Sequence, residues 1–283
     1  MESAFLFPDG LISALWLLLA VCILLPALYY VWMIYKKSFD HIAMLAGIAS
    51  FFMFGYLVSG ILLGNFAPQK LADAYGSTLY ASMRALCVTV SEVGGFWLAL
   101  FILKRERPGV NTAIGFGLGY RLFDLLYLGA FNALFRLANA LSVNQDGLQS
   151  VLANVDESAA PALEEQLRIL AQTSPKIYIM SSVDYLCMFV ISVCLARLIW
   201  YGMEGGKLAA DKRLIALSAG FRLVSEWILA KYQSLGEKYS VYAGIYYVLV
   251  AALICFTYWQ SKRRDDPEMI RAAHLKAKLR KKR

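Results

Sequence analysis

Histidine is scarce in this chain: there are two in 283 residues, His41 and His274. One stands at the edge of an apolar stretch and the other in a basic tail, which all but excludes a buried zinc site built on imidazoles. Cysteine is no substitute. Cys22, Cys87, Cys187, Cys194 and Cys255 all lie within apolar stretches, without the paired spacing of a metal site or a disulfide framework. They read as small apolar packing residues. The expectation is no metal and no other cofactor.

Charge is scarce as well. Charged residues make up 17% of the chain, against 59% hydrophobic and 14% aromatic, which excludes an ordinary soluble domain. No stretch reads as a separate soluble domain. The first apolar segment lacks a basic start and ends in Lys36-Lys37 rather than at a small-residue cleavage site, so it is expected to be a span and not a cleaved signal. No strongly kinked or Gly/Pro-broken helix pair of the inverted-repeat kind is present, which lowers a transporter reading.

What remains is apolar sequence in helix-length blocks. A hydrocarbon core of ~30 Å needs about 20 apolar residues per helix. Seven blocks qualify: 11–35, 42–64, 78–103, 111–134, 177–201, 211–231 and 239–260. The expected fold is all-α, a polytopic membrane protein of about seven transmembrane helices. Residues 1–261 form the membrane domain, with an outer insertion at 135–176, and 262–283 form a tail. Lys36-Lys37, Lys104-Arg105-Arg107, Lys207 with Lys212-Arg213, and the tail from Lys262 all fall on one side of such a bundle. The positive-inside rule then puts the N-terminus outside and the C-terminus in the cytoplasm, as expected of a multi-pass protein of a bacterial cytoplasmic membrane.

Three stretches lie outside the spans. Residues 65–77 form a short outer loop. Within 135–176, LEEQLRILAQ from Leu163 has a helix-compatible apolar pattern, and the segment either caps the bundle, binds a partner or is an ordered surface loop. The tail SKRRDDPEMIRAAHLKAKLRKKR is basic, with helix expected after Pro267. Its expected partner is anionic lipid, at roughly 1 kcal/mol per basic residue. Nucleic acid is not expected, since the tail has no aromatic stacking residues.

Ionisable residues inside the blocks are costly, at least ~2.5–3.5 kcal/mol each at mid-bilayer, so they mark interior positions. Arg121 and Asp124 are three apart, Arg222 and Glu226 four apart. Both spacings permit an ion pair along one helix face. Each pair either neutralises itself and packs two helices, or serves a site. Glu92 and Asp184 have no basic residue within about a turn and must find a partner on another helix, stay protonated or face water. Arg84, Arg136 and Arg197 lie nearer block ends, where they can snorkel. Gly115, Gly117, Gly119 and Gly129 allow helices to approach closely.

The order of these elements resembles the YhfC family of predicted intramembrane proteases. These are relatives of the prenyl-protein-processing and PrsW-type proteases and, more remotely, of the scaffold subunit of gamma-secretase. LLPALYYVWMIYKKSFDHIAMLAGIASFFMF is similar to that family's proline-containing helix, basic turn and second helix. SEVGG stands where the family has paired glutamates and an arginine, with Ser91-Glu92 for the acids and Gly95 for the arginine. In GYRLFD, Tyr120 takes the histidine place and Asp124 the glutamate place. Asp184-Tyr185 replaces Glu-Arg, Ser192 replaces a histidine, Phe221 falls at the last histidine and Ser225 near an acidic position.

The resemblance implies a protease-like bundle with a polar cavity. Its departures remove imidazoles that would bind a metal or an oxyanion. The favoured reading is therefore a non-catalytic scaffold or binding subunit for a transmembrane protein or peptide. Its polar cavity or partner-binding residues would be Tyr120, Arg121, Asp184, Ser192, Arg222 and Glu226. The alternative is an atypical active glutamate-type protease using Glu92 and Asp124 as a proton-sharing carboxylate pair. A third reading is a transporter or channel component lined by Glu92, Asp124 and Asp184.

Overall fold

A computed structural model describes residues 6–35, 39–67, 76–107, 109–156, 158–203, 211–234 and 240–265. The protein is all-helical among these residues, with no strand. Most of the chemistry-free length of the chain is spent on membrane-compatible helices. Six are long and apolar enough to cross a bilayer: Asp9–Tyr35, His41–Phe66, Ser77–Glu106, Val110–Asp146, Pro175–Gly202 and Val241–Arg264. The remaining expected span forms a helix too, Lys212–Ser234, but Lys212, Arg213, Arg222, Glu226 and Lys231 make it too polar to join them on composition. The basic tail expected to be helical after Pro267, and with it His274, lies outside the described residues, as does most of the 65–77 loop.

In chain order the helices are α1 (Asp9–Tyr35), α2 (His41–Ser50), α3 (Ser59–Phe66), α4 (Ser77–Glu106), α5 (Val110–Phe123) and α6 (Asn132–Asp146). Then come α7 (Leu148–Ala153), α8 (Ala160–Gln172), α9 (Pro175–Gly202), α10 (Lys212–Ser234) and α11 (Ser240–Asp265). Two of the spans change pitch midway. Phe51–Val58 joins α2 to α3 and Asp124–Phe131 joins α5 to α6, each as eight residues of π-helix. Such widened turns are rare and slip the side-chain register. Side chains answer the displaced carbonyls: the Ser91 hydroxyl donates to Phe54, and Asn132 Nδ2 donates to the Leu128 carbonyl at 2.9 Å.

The chain forms two compact units, each discontinuous in sequence: Met1–Tyr35 with Leu122–Met188, and Lys36–Arg121 with Phe189–Arg283. In the first, α1 buries Leu11, Leu15, Leu18 and Cys22 and packs on Asp124–Phe131 and on α6, which buries Ala133, Leu137 and Ala140. Asn144 exchanges two hydrogen bonds with the backbone of Phe7, at 2.7 and 2.9 Å, and so holds the chain ahead of α1 to the end of α6. Beyond α6, the insertion expected at 135–176 is folded as α7 and α8. The span that was expected to end at 134 runs on as helix to Asp146, because FRLANALSVNQ keeps helix formers and a buried stripe after the apolar run has stopped.

In the second unit α4 and α10 share the most extensive interface, with α11 on α10 and α2, Phe51–Val58 and α3 against α4. Asp40 ties one end of it together. Its carboxylate caps α2 by accepting from Ala43 N, pairs with Arg107 Nη1 and accepts from Thr112 Oγ1, all at 3.1 Å. The GFGLG run lets neighbouring helices touch backbone to backbone. A Cβ on Gly119 would overlap the Met44 carbonyl oxygen and lie 2.7 and 2.9 Å from that residue's carbonyl carbon and Cα, and one on Gly117 would lie 2.8 Å from Val193 Cα.

Candidate functional site: a buried arginine–carboxylate chain

The second unit contains a line of alternating charges. On α4, Arg84 and Glu92 are eight residues apart, two helical turns, and so share a face. On α10, Arg222 and Glu226 are one turn apart and face them. Arg84 Nε donates to Glu226 Oε1 at 3.2 Å, and Arg222 Nη1 meets Glu226 Oε2 at 3.0 Å. Arg222 Nε donates to Glu92 Oε2 at 2.6 Å, and Arg121 Nη2, from α5, donates to Glu92 Oε1 at 2.8 Å. Arg222 and Glu226 are each 2% exposed, Arg121 5% and Glu92 6%. Each carboxylate therefore has both oxygens engaged by guanidinium groups, the strongest kind of side-chain hydrogen bond.

The positions around Glu92 are filled by packing. Tyr120, fully buried, is boxed by Phe51, Phe96 and Phe116 with ring centroids 5.4, 4.4 and 6.3 Å away. A Cβ at Gly95 would come 2.7 Å from Phe54 Cβ, which leaves no room for an arginine there. Of the outcomes open to Glu92 in the sequence, the structure shows a partner on another helix. Arg121 and Arg222 bring the countercharge from other helices. Ser192 Oγ donates to the Gly117 carbonyl at 2.8 Å, fastening α9 to α5, and Ser225 Oγ donates to the Arg222 carbonyl at 3.0 Å.

The structure thus joins four of the expected residues, Glu92, Arg121, Arg222 and Glu226, and adds Arg84, which sequence reasoning had set aside as a snorkelling residue. Its eight-residue spacing from Glu92 was the available signal. Arg121 reaches Glu92, a partner that its three-residue distance from Asp124 does not suggest. Asp124 and Asp184 belong to the first unit. There Asp124 is buried at the start of the π-helical segment and Asp184 is half-buried on α9.

The profile of the YhfC intramembrane metalloprotease family matches residues 21–246, which is most of the chain and takes in every residue of this ion-pair line. The chain belongs to that family. No curated protein and no solved structure matches it.

A YhfC-family metalloprotease implies a metal, and the donor set here does not fit one. Among the described residues, no group of three or more His, Cys, Asp or Glu side chains converges. His41 opens α2 in edge contact with Phe39, at 4.7 Å between centroids. Of Tyr120, Ser192 and Phe221, which the resemblance sets at histidine places, a phenol boxed by rings and a phenyl group are poor ligands. Glu92 offers its oxygens to two arginines instead.

Proposed function

We propose that this YhfC-family protein is a non-catalytic member: an integral-membrane scaffold or binding subunit that keeps the protease-like bundle and has turned its acid position into a helix clamp. One observation carries the reading. Both oxygens of Glu92 are held by buried guanidiniums, at 2.6 and 2.8 Å, from two different helices. A general base needs an oxygen within reach of the water it activates, whereas this carboxylate's charge is already spent on Arg121 and Arg222. We read the bundle as crossing the membrane seven times, with α10 as the sixth crossing. Its Arg222 and Glu226 are acceptable at bilayer depth because each is paired and turned inward.

A scaffold is expected to leave the membrane with its partner. Mild detergent extraction, affinity purification and mass measurement of the intact complex should show a stoichiometric transmembrane partner. Arg121→Ala should loosen that complex. Recovery of wild type only as a lone monomer would contradict the proposal. Family membership favours a second reading, an atypical protease in which Glu92 acts with Asp124; its test is proteolysis itself.

A further inference from the structure

The outer insertion encloses a cavity of about 440 Å³ in the first unit, between α6, α8 and the start of α9. That is within the range of roughly 300–1,000 Å³ typical of small-molecule sites. One cation lines it. Arg136 donates from Nη1 to the Tyr178 hydroxyl at 2.7 Å and lies over that ring, 5.6 Å from its centroid. No carboxylate among the described residues lies within ion-pair distance of it. Three amides, Asn132, Asn139 and Gln166, line the same space, and the first already donates to the Leu128 carbonyl. Apolar side chains of the amphipathic helix α8, Leu163, Leu167 and Leu170, close its other wall.

Depth follows from helix arithmetic. Counted from the basic stretch before Val110, about 20 residues of helix end near Phe131. Arg136 stands a little over one turn further on, at the level of lipid headgroups. Toward the membrane from it, Phe131 and Phe135, one turn apart on a neighbouring face of the same helix, are each at least 50% exposed. A fixed arginine and neutral amides above an apolar exposed face match a molecule with an anionic head and hydrocarbon tails. They do not match a free peptide acid or a neutral solute.

We propose that this cavity binds the headgroup phosphate of an anionic membrane phospholipid. Arg136 would be the charge contact, Asn139 and Gln166 neutral donors, and the acyl chains would lie along Phe131 and Phe135. The site is independent of the Glu92 clamp and of the scaffold reading.

The test is native mass spectrometry of the purified full-length chain at raised ionic strength, where loose charge attraction to the basic tail is screened. Phosphatidylglycerol, phosphatidylcholine with the same chains, and inorganic phosphate are added separately. Wild type should retain one phosphatidylglycerol and neither of the others. Arg136→Gln should weaken that retention about tenfold, which corresponds to ~1.4 kcal/mol, and Arg136→Lys should restore part of it. Tyr178→Phe, which keeps the cation, should still bind. Should Arg136→Gln fail to fold, the Asn139→Ala/Gln166→Ala double variant should show the same preferential loss of phosphatidylglycerol. Equal retention of phosphatidylcholine, binding of phosphate alone, or phosphatidylglycerol binding unchanged in both Arg136→Gln and the double variant would overturn the proposal.

Discussion

At the scale of single residues, the central question is what Glu92 is for. It is 6% exposed and lies between two arginines that are buried as deeply. Removing one member of such a set leaves uncompensated charge inside the protein and costs about 3–5 kcal/mol. Glu92→Gln is therefore expected to lower the unfolding midpoint in detergent sharply, by the full cost of orphaning two guanidiniums. A variant that merely lost a base would melt like wild type. Arg222 is the most demanding member, since it serves both carboxylates through separate nitrogens. Lysine has a single ammonium and cannot reproduce that fork. Arg222→Lys should destabilise far more than Arg84→Lys, whose side chain is 32% exposed and meets one carboxylate. The sequence showed the Arg222–Glu226 pair, because four residues is one helical turn. It could not show which arginines serve Glu92, because Arg121 and Arg222 come from 29 and 130 residues away in the chain.

At the scale of elements, the glycines of α5 decide how closely helices meet. With the Met44 carbonyl oxygen overlapping the place of a Cβ and its carbonyl carbon and Cα 2.7 and 2.9 Å away, Gly119→Ala must push α2 away from α5. Overpacking of this kind costs about 1–3 kcal/mol. Gly94, on α4, has nothing within 4 Å of the same point. Gly94→Ala should be neutral or gain the ~0.5–1 kcal/mol that alanine has over glycine in a helix. Thermal unfolding of the two variants side by side checks the contrast, and equal behaviour would contradict the packing described here. Small residues in the sequence pointed to close contact of this kind, since GFGLG stands out in an apolar block. The π-helical turns were not legible, because no residue type compels one. The extension of helix to Asp146 was missed for a related reason: the end of an apolar run marks where lipid contact stops, whereas the helix follows its own buried stripe.

For the whole molecule, apolar blocks were enough to place six membrane-length helices, and the helix that fails on composition, α10, carries two of the five residues of the ion-pair line. Its polarity is the reason it escapes a hydropathy count and the reason it matters. The proposed seven-span arrangement predicts opposite fates for tags at the two ends of α10. Single cysteines at Asp211 and at Ser234 should react with a membrane-impermeant maleimide from opposite faces of sealed vesicles. Labelling of both from one face would remove α10 from the spans and bring its buried charges out of the bilayer interior. Family membership, by contrast, rests on the family profile, whose match over residues 21–246 takes in the whole of α10.

The clamp and the protease readings part most directly at the peptide bond. Purified wild type and Glu92→Gln, reconstituted in liposomes with a panel of single-span membrane peptides, can be followed by mass spectrometry for cleavage inside the spanning segment. The proposed non-catalytic role predicts no wild-type product above the protein-free control and no difference between the two proteins. Cleavage by wild type that vanishes in a Glu92→Gln protein of unchanged unfolding midpoint would contradict it.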